Sequence, residues 1–272
     1  MRAIRVFLLI LACAAILLLM LLASRSYSFC KRGKDDGIHL RLVSWNADNF
    51  LVSQDTMLRA ASFIGGIHPD IICLQERPHT SLVAWDSIRT AFGELEYAAV
   101  NSREDEVLNL AILSRWPILE MVEYYVPDSY NKSLCVDIAM PEDTVRLFNV
   151  HLQTNGLCLG SKPSAGLFRN LRANAAKRKA QVEEIASAVA ASPYPVIVCG
   201  DLNVPPASYS YRKISAFLDD AFLKAGKGWG GSYQGLGGLL RIDYILCSPA
   251  FAVSSYSLVP NAWSDHKIQI LN

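Results

Sequence analysis

Short apolar runs and helical patterns alternate along the chain from residue 38 onwards. Short runs rich in apolar and β-branched residues are typical of buried strands. They predict strands over 40–45, 71–74, 110–113, 134–138, 145–150, 196–199, 241–246 and 267–271. Many of these runs end in polar residues.

Apolar residues at helical spacing predict helices between these strands. A first helix covers 54–67 and is stopped by two glycines and Pro69. A third lies near 212–223 and is followed by a glycine-rich stretch, 226–238. Between them, a long helix is predicted with one apolar face: Phe168, Leu171, Ala175, Val182, Ile185 and Val189. Strands with interspersed helices predict an α/β fold built in layers.

An unbroken apolar run of 18 residues covers 6–23, directly behind Arg2 and Arg5. As a helix it would be about 27 Å long, just enough to span a bilayer core. Cleaved signal peptides have shorter apolar stretches. We therefore predict an uncleaved, single-pass membrane anchor over 1–23, a polar linker over 24–37 and a globular domain over 38–272. We expect this domain to be exported, but basic residues on both flanks of the run leave the orientation open.

Size and charge limit the possible partners of the globular domain. The chain has 272 residues, 51% of them apolar, enough for one substantial core or two small ones. Its formal net charge of +1 becomes −3 without residues 1–37, which carry six basic and two acidic residues. A domain with this balance is not a general electrostatic clamp for nucleic acid, although a local basic groove stays possible.

The seven cysteines form no CxxC pair and no zinc-binding spacing. We predict that those inside apolar runs are small core residues: Cys73, Cys199 and Cys247. Cys30, Cys135 and Cys158 could pair if the domain is exported.

Polar residues at the strand ends carry the candidate chemistry: Asn46, Glu76, His151, Asp201, Asn203, Asp243, Asp265 and His266. Oxygen ligands and two histidines suit Mg²⁺ or Mn²⁺ better than zinc. Phosphoester hydrolysis needs such a metal, a base that activates water and a donor for the leaving oxygen. Each residue also has an ordinary structural explanation, for example a turn, a surface ion pair or a core histidine. Together these ordinary explanations are improbable.

Six short motifs occur in order between residues 38 and 272: Ser44-Trp45-Asn46, Leu74-Gln75-Glu76, Asn149-Val150-His151, Gly200-Asp201-Leu202-Asn203, Arg241-Ile242-Asp243-Tyr244 and Ser264-Asp265-His266. Together they resemble the endonuclease/exonuclease/phosphatase superfamily, which includes deoxyribonuclease I-like nucleases, inositol polyphosphate 5-phosphatases and neutral sphingomyelinases. The resemblance implies a four-layer α/β sandwich of two packed mixed β-sheets flanked by helices. Here an N-terminal transmembrane helix would precede it.

The resemblance also implies roles for the site residues. Glu76 would bind the metal, with Asn46 and Asp265 close to it. Asp201 would orient or deprotonate the attacking water, and Asn203 would hold the phosphate. The cofactor would be Mg²⁺ or Mn²⁺, and the substrate a nucleic acid, a phospholipid headgroup or a small phosphoester.

The two histidines would have different roles. His266, paired with Asp243, would act as general base or bind the phosphate, because a carboxylate partner fixes a histidine's tautomer and raises its basicity. His151 would stabilise the phosphoryl oxygens or protonate the leaving group. Whether Asp201 or His266 takes the proton stays open. No carboxylate is clearly placed to support His151, and Glu104 and Glu106 are weak candidates.

We therefore predict a membrane-anchored, Mg²⁺-dependent phosphodiesterase that uses an activated water. The alternatives are an endonuclease on DNA or RNA, a phosphomonoesterase on inositol or sugar phosphates, and an inactive binding scaffold. A scaffold would be expected to lack Glu76, Asp201 or His266, and all three are present. No protein partner is evident.

Two further groups of residues are candidates for substrate binding. Arg178 falls on the apolar stripe of the long helix, from which it could reach the rim of the site. The basic residues around it could grip a polyanion or form a solvated helix face. Four aromatic residues could line a pocket or simply pack in the structure: Tyr209, Tyr211, Trp229 and Tyr233.

Overall fold

The computed structural model describes residues 25–28, 40–93, 95–104, 108–155 and 167–272. In chain order, its strands are β1 (Tyr27–Ser28), β2 (Leu42–Asn46), β3 (Ile71–Arg77), β4 (Tyr97–Val100), β5 (Asn109–Ser114), β6 (Ile118–Tyr125), β7 (Lys132–Ala139), β8 (Thr144–His151), β9 (Val196–Asp201), β10 (Asp219–Asp220), β11 (Gly228–Trp229), β12 (Asp243–Cys247), β13 (Tyr256–Val259) and β14 (Ile268–Leu271). The helices are α1 (Gln54–Gly65), α2 (Trp85–Phe92), α3 (Leu167–Ala190), α4 (Tyr209–Ile214) and α5 (Ala221–Ala225).

Twelve of these strands form two six-stranded mixed sheets. The first sheet has the order β13-β14-β2-β3-β5-β4, and the second has the order β10-β12-β9-β8-β7-β6. Within each sheet one pair is parallel, β2 with β3 and β8 with β9, and the remaining pairs are antiparallel. Strands β1 and β11 form a separate two-stranded ribbon.

Three apolar cores hold these layers together. The core between the sheets combines residues such as Leu42 and Ile112 of the first sheet with Leu147 and Ile197 of the second. The outer face of the first sheet is covered by α1 and α2, and that of the second sheet by α3 and α4. This arrangement confirms the predicted α/β fold of two mixed sheets flanked by helices.

The parallel pairs explain why the polar strand ends meet. Parallel neighbours end at the same edge of a sheet. In the first sheet this edge carries Asn46 and Glu76, and in the second it carries His151 and Asp201. Because the two sheets pack face to face, the two edges form one site.

A buried polar bridge fixes the sheets to each other just below this edge. The side-chain Nε2 of Gln75 donates to Oδ1 of Asn149 at 2.7 Å. The side-chain nitrogen of Asn149 in turn donates to the carbonyl oxygens of Leu74 and Ala111 at 2.9 and 3.0 Å. Gln75 and Asn149 are both fully buried, so these bonds are shielded from competition with water.

The helix predicted near 212–223 is wrong. The structure has two short helices there, separated by strand β10, because Asp220 is the N-cap of α5 and accepts hydrogen bonds from the backbone nitrogens of Phe222 and Leu223. The same carboxylate forms a buried ion pair with Arg241 at 2.5 Å. Phe168, predicted on the apolar face of α3, is 87% exposed, so that part of the prediction is also wrong.

The structure describes four of the cysteines, all of them buried and free. Cys73, Cys199 and Cys247 are buried and free, as predicted for core residues. Cys135 is also buried and free, while Cys30 and Cys158 lie outside the described residues.

The predicted anchor over 1–23 also lies outside the described residues. Among the residues that the structure does describe, no helix combines the length and apolar character that crossing a membrane requires. Part of the predicted linker is structured, because Arg25 to Ser28 contact the globular domain and contribute β1.

Candidate active site

Two of the site residues, Glu76 and Asn203, have an unusual backbone conformation. The pairing of β3 with β5 shifts register between Leu74 and Arg77, so β3 bulges there. Within this bulge Glu76 has φ 51°, and Asn203, in the loop after β9, has φ 54°. This left-handed conformation is uncommon for residues with a side chain and is concentrated at functional sites.

Gly200 lets β9 approach β8 closely at the site. Its φ is 124°, and a Cβ on it would lie 2.1 Å from the carbonyl oxygen of Val150. With glycine here, the next residue, Asp201, pairs with His151 of β8 on one side and with Asp243 of β12 on the other. The glycine therefore allows three polar residues to lie side by side.

Asp201 is the centre of the site. It is 1% exposed, and its Oδ2 lies 3.3 Å from Nδ2 of Asn46, 3.7 Å from Nε2 of His151 and 4.0 Å from Nε2 of His266. Burial raises the pKa of Asp201 well above its usual range, and the carboxylate of Asp243 acts in the same direction. A cation or a proton at this centre would relieve that cost.

His266 and Asp243 form a buried pair. Nδ1 of His266 lies 2.9 Å from Oδ2 and 3.1 Å from Oδ1 of Asp243. Burial alone would lower the pKa of His266, but the charge of Asp243 and its hydrogen bond outweigh burial and raise this pKa to about 10. Nε2 of His266 is left facing Asp201, as the predicted pairing requires.

Glu76 belongs to a second group of side chains that also contains Asp201. Its Oε1 accepts a hydrogen bond from Nδ2 of Asn46 at 2.9 Å and lies 3.6 Å from Nε2 of His151. Burial raises the pKa of Glu76 to about 7. Asn46 thus bridges the carboxylates of Glu76 and Asp201 with its amide nitrogen.

The donor atoms of this cluster fit a divalent cation. Ligand atoms of Glu76, His151 and Asp201 all lie within 4.8 Å of one another, and the same holds for Asp201, Asp243 and His266. The two groups share Asp201. Carboxylate oxygens with imidazole nitrogens suit Mg²⁺ or Mn²⁺, and a cation would offset the buried negative charge of the carboxylates.

His151 is buried and neutral. Burial lowers its pKa to about 3, and the charge of His266 acts in the same direction. Its Nδ1 has no hydrogen-bond partner among the described residues. Glu104, a weak candidate to support it, instead binds Arg77 at 2.5 Å, and Glu106 lies outside the described residues.

Asn203 and Arg178 are connected through a loop beside the site. The backbone nitrogen of Asn203 donates to Oδ1 of Asp201 at 2.7 Å, and its side chain donates to the carbonyl oxygen of Leu152 at 3.0 Å. Arg178 is buried and donates to the Gln153 carbonyl at 2.5 Å and to Oδ1 of Asn155 at 2.8 Å. Arg178 therefore holds the loop that follows His151, and its contact with substrate stays a prediction.

Asp265 lies at the rim of the site. Its side chain is 49% exposed, and its Oδ1 lies 3.6 Å from Nε2 of His266. It is not one of the residues whose ligand atoms cluster around Glu76. Asp48, which our sequence analysis missed, is half-buried near it, and its pKa is raised by burial and by the charge of Asp265. The available signal was its position two residues after Asn46.

The four aromatic candidates do not form one pocket. Tyr211 is buried against Tyr244, with ring centroids 5.0 Å apart. Tyr233 packs edge-on against His266 at 5.3 Å, so it borders the site. Trp229 is exposed on the β1–β11 ribbon, and Tyr209 is exposed on α4.

Comparison with known proteins identifies the family. The model of the endonuclease/exonuclease/phosphatase family matches residues 43–266, which include every site residue described above. The chain belongs to this family. Its members hydrolyse phosphate esters and include nuclease-like enzymes. No curated protein matches the sequence.

Solved structures show the same fold at low sequence identity. The 3′ phosphatase NExo from Neisseria, bound to a product DNA hairpin, is 17% identical with a TM-score of 0.65, covering 86% of this chain and 99% of that one. Truncated TDP2 of Caenorhabditis elegans is 19% identical with a TM-score of 0.63, covering 85% and 96%. The mannosyl-6-phosphatase of Bacteroides thetaiotaomicron is 17% identical with a TM-score of 0.63, covering 86% and 99%.

Proposed function

We propose that this protein is a membrane-anchored, metal-dependent phosphodiesterase that hydrolyses its substrate with an activated water. The observation that carries the proposal is that Asp201 belongs to two clusters of carboxylates and histidines, one with Glu76 and His151 and the other with Asp243 and His266. One buried carboxylate is thus shared by a metal-binding half and a proton-handling half.

In the metal-binding half, Glu76 would hold the cation with His151 and Asp201 beside it. A bound divalent cation neutralises phosphate charge and activates water. Asn46 keeps Glu76 and Asp201 in position by donating to both carboxylates.

In the other half, Asp201 and His266 would orient the attacking water and take its proton. The 4.0 Å between Oδ2 of Asp201 and Nε2 of His266 lets a single oxygen atom lie within hydrogen-bond distance of both. Asp243 fixes the His266 ring through Nδ1, so that Nε2 is the atom that faces the reacting oxygen. Asn203 lies next to Asp201 and would hold a phosphate oxygen.

The membrane attachment is supported by the apolar run over 6–23. Its length matches a bilayer core, and the domain that follows lacks the net positive charge of a typical nucleic-acid clamp. A phosphoester close to the membrane surface suits both features.

The test is Mg²⁺-dependent hydrolysis by the full chain in phospholipid vesicles, with EDTA as control. Four substrates are compared: bis(4-nitrophenyl) phosphate, plasmid DNA, sphingomyelin and inositol phosphates. We expect EDTA-sensitive cleavage of the first substrate and headgroup release from the lipid. Cleavage of plasmid alone would make the protein a nuclease, cleavage of inositol phosphates alone would make it a phosphomonoesterase, and no cleavage would favour the inactive scaffold.

A further inference from the structure

The β1–β11 ribbon has an unusual distribution of polar and apolar side chains. Tyr27 and Trp229 are paired across the ribbon and are 46% and 40% exposed, whereas Ser26 and Ser28 are buried at 5%. Strands on a water-exposed surface normally show the reverse alternation, with polar residues outside. The ribbon therefore presents aromatic side chains outward and hydroxyl groups inward.

The glycine-rich loop after the ribbon carries further exposed apolar side chains. The indole nitrogen of Trp229 donates to the carbonyl oxygen of Leu239 at 3.1 Å, which places Leu239 beside the ribbon. Leu239 is 62% exposed, and Leu236 and Leu240 in the same loop are also exposed. We call these five side chains the apolar face: Tyr27, Trp229, Leu236, Leu239 and Leu240.

The ribbon is held rigidly against the domain. Arg241 donates to the carbonyl oxygen of Arg25 at 2.6 Å. The backbone nitrogen of Gly230 donates to the carbonyl oxygen of Ser26 at 2.7 Å. The guanidinium of Arg25 also stacks over Tyr211 at 5.6 Å. Residues 25–28 are therefore fixed to the domain, and in the sequence only Ser24 separates them from the apolar run that ends at Ala23.

The apolar run ends at Ala23, four residues before Tyr27. An extended chain spans at most about 3.6 Å per residue, so Tyr27 lies within about 14 Å of the end of the run. The headgroup region on each side of a bilayer core is about 5–8 Å thick. If the run spans the bilayer, the ribbon must lie at or immediately next to the headgroups.

We propose that the apolar face rests on the lipid bilayer and fixes the orientation of the catalytic domain on the membrane. Tyrosine and tryptophan are the side chains most enriched at membrane interfaces, because each joins an apolar ring to a polar group. Exposed leucines beside them add apolar area that the bilayer would bury. This proposal rests on the membrane attachment proposed above, but not on the catalytic activity.

The apolar face is also connected to the active site. Between Trp229 and Leu240 the loop passes Tyr233, whose ring packs against His266. The backbone nitrogens of Ser232 and Tyr233 both donate to the carbonyl oxygen of Leu240, at 2.9 and 3.1 Å. Tyr233 also forms an isolated antiparallel β-bridge with His266. The loop is therefore fastened to the segment that carries His266, which would bring phosphoesters of the lipid surface close to the site.

The test uses the full chain reconstituted into phosphatidylcholine vesicles with and without acyl-chain-brominated lipid, which quenches tryptophan at the membrane. We expect brominated lipid to quench the wild type and W229F to lose at least half of that quenching. W116F is the matched control, because Trp116 follows the end of β5 that is far from the active site. It should lose none of the quenching.

Three results would overturn the proposal. If the protein floats with the vesicles but W229F is quenched as strongly as the wild type, the anchor binds the membrane and the apolar face does not contact it. If the chain does not float with the vesicles, neither the anchor nor the apolar face binds the membrane. A dimer in detergent that W229F dissociates would assign the face to a second copy of the chain. Hydrolysis of bis(4-nitrophenyl) phosphate should be unchanged in W229F, so a failed quenching test stays separate from a failed catalytic assignment.

Discussion

A single buried carboxylate, Asp201, connects the parts of the proposed catalytic site. It lies within 4.0 Å of both histidines and of the Asn46 amide. Buried charges are costly without partners, and this cost explains why an amide and two imidazoles surround Asp201 rather than apolar side chains. The carboxylates of Glu76 and Asp243 add to the cost, which a bound cation would offset. At the residue scale, the chemistry depends on how these neighbours are oriented.

Asp243→Asn tests whether Asp243 acts through His266. Asparagine keeps the size of the side chain but removes the charge that orients and stabilises the His266 ring. We expect kcat for bis(4-nitrophenyl) phosphate to fall about 100-fold, because positioned general acid–base groups typically contribute 10²–10⁴-fold, while KM changes little. A rise in KM with kcat unchanged would show instead that Asp243 serves substrate binding. Asp143→Asn, on an exposed turn, is the matched control.

The elements differ in how far the sequence predicts them. All eight strands predicted from apolar runs are present. Our sequence analysis missed six strands. Four of them, β4, β6, β10 and β13, form the four outer edges of the two sheets, and the other two, β1 and β11, form the separate ribbon. Edge strands are often less apolar, since they face water on more sides, and β6 is largely exposed. Periodicity therefore predicts the centre of each sheet and fails at its margins.

Gly200→Ala tests the close approach of β8 and β9. A methyl group would clash with the carbonyl oxygen of Val150 at 2.1 Å, and the φ of 124° is unfavourable for alanine. We expect the free energy of unfolding to fall by more than about 2 kcal/mol, measured by urea denaturation followed by circular dichroism. Gly65→Ala is the control, since a Cβ there meets nothing within 4 Å and φ is not positive. Equal stability of the two variants would contradict the close packing.

Asn149→Ala tests the polar bridge between the sheets. It would leave the Gln75 amide and two buried carbonyl oxygens with fewer hydrogen bonds. Each unsatisfied buried group costs about 1–3 kcal/mol, so we expect a loss of stability of about 2–5 kcal/mol. Asn170→Ala, on the exposed side of α3, should be nearly neutral. A neutral Asn149→Ala would show that the bridge does not join the sheets energetically.

At the scale of the whole molecule, the sequence predicts which residues form the site better than how they are arranged. Most of the predicted site residues meet around Asp201, because they follow apolar runs that pair in parallel at the centre of each sheet. The register shift that turns Glu76 into the site, and the half-buried position of Asp48, depend on contacts between distant strands. A one-dimensional pattern does not contain such contacts, and for the same reason the direction of Arg178 could not be predicted.

Glu76, Asp201 and His266 together form the proposed metal-dependent hydrolytic site. The most direct test is the rate of bis(4-nitrophenyl) phosphate hydrolysis by the full chain at increasing Mg²⁺, comparing the wild type with Glu76→Gln, His266→Ala and the exposed control Glu142→Gln. We predict that the wild type and Glu142→Gln show the same saturable, EDTA-reversible Mg²⁺ dependence, and that Glu76→Gln and His266→Ala remain folded but lose turnover. Retained activity in either of these two variants would contradict the site assignment.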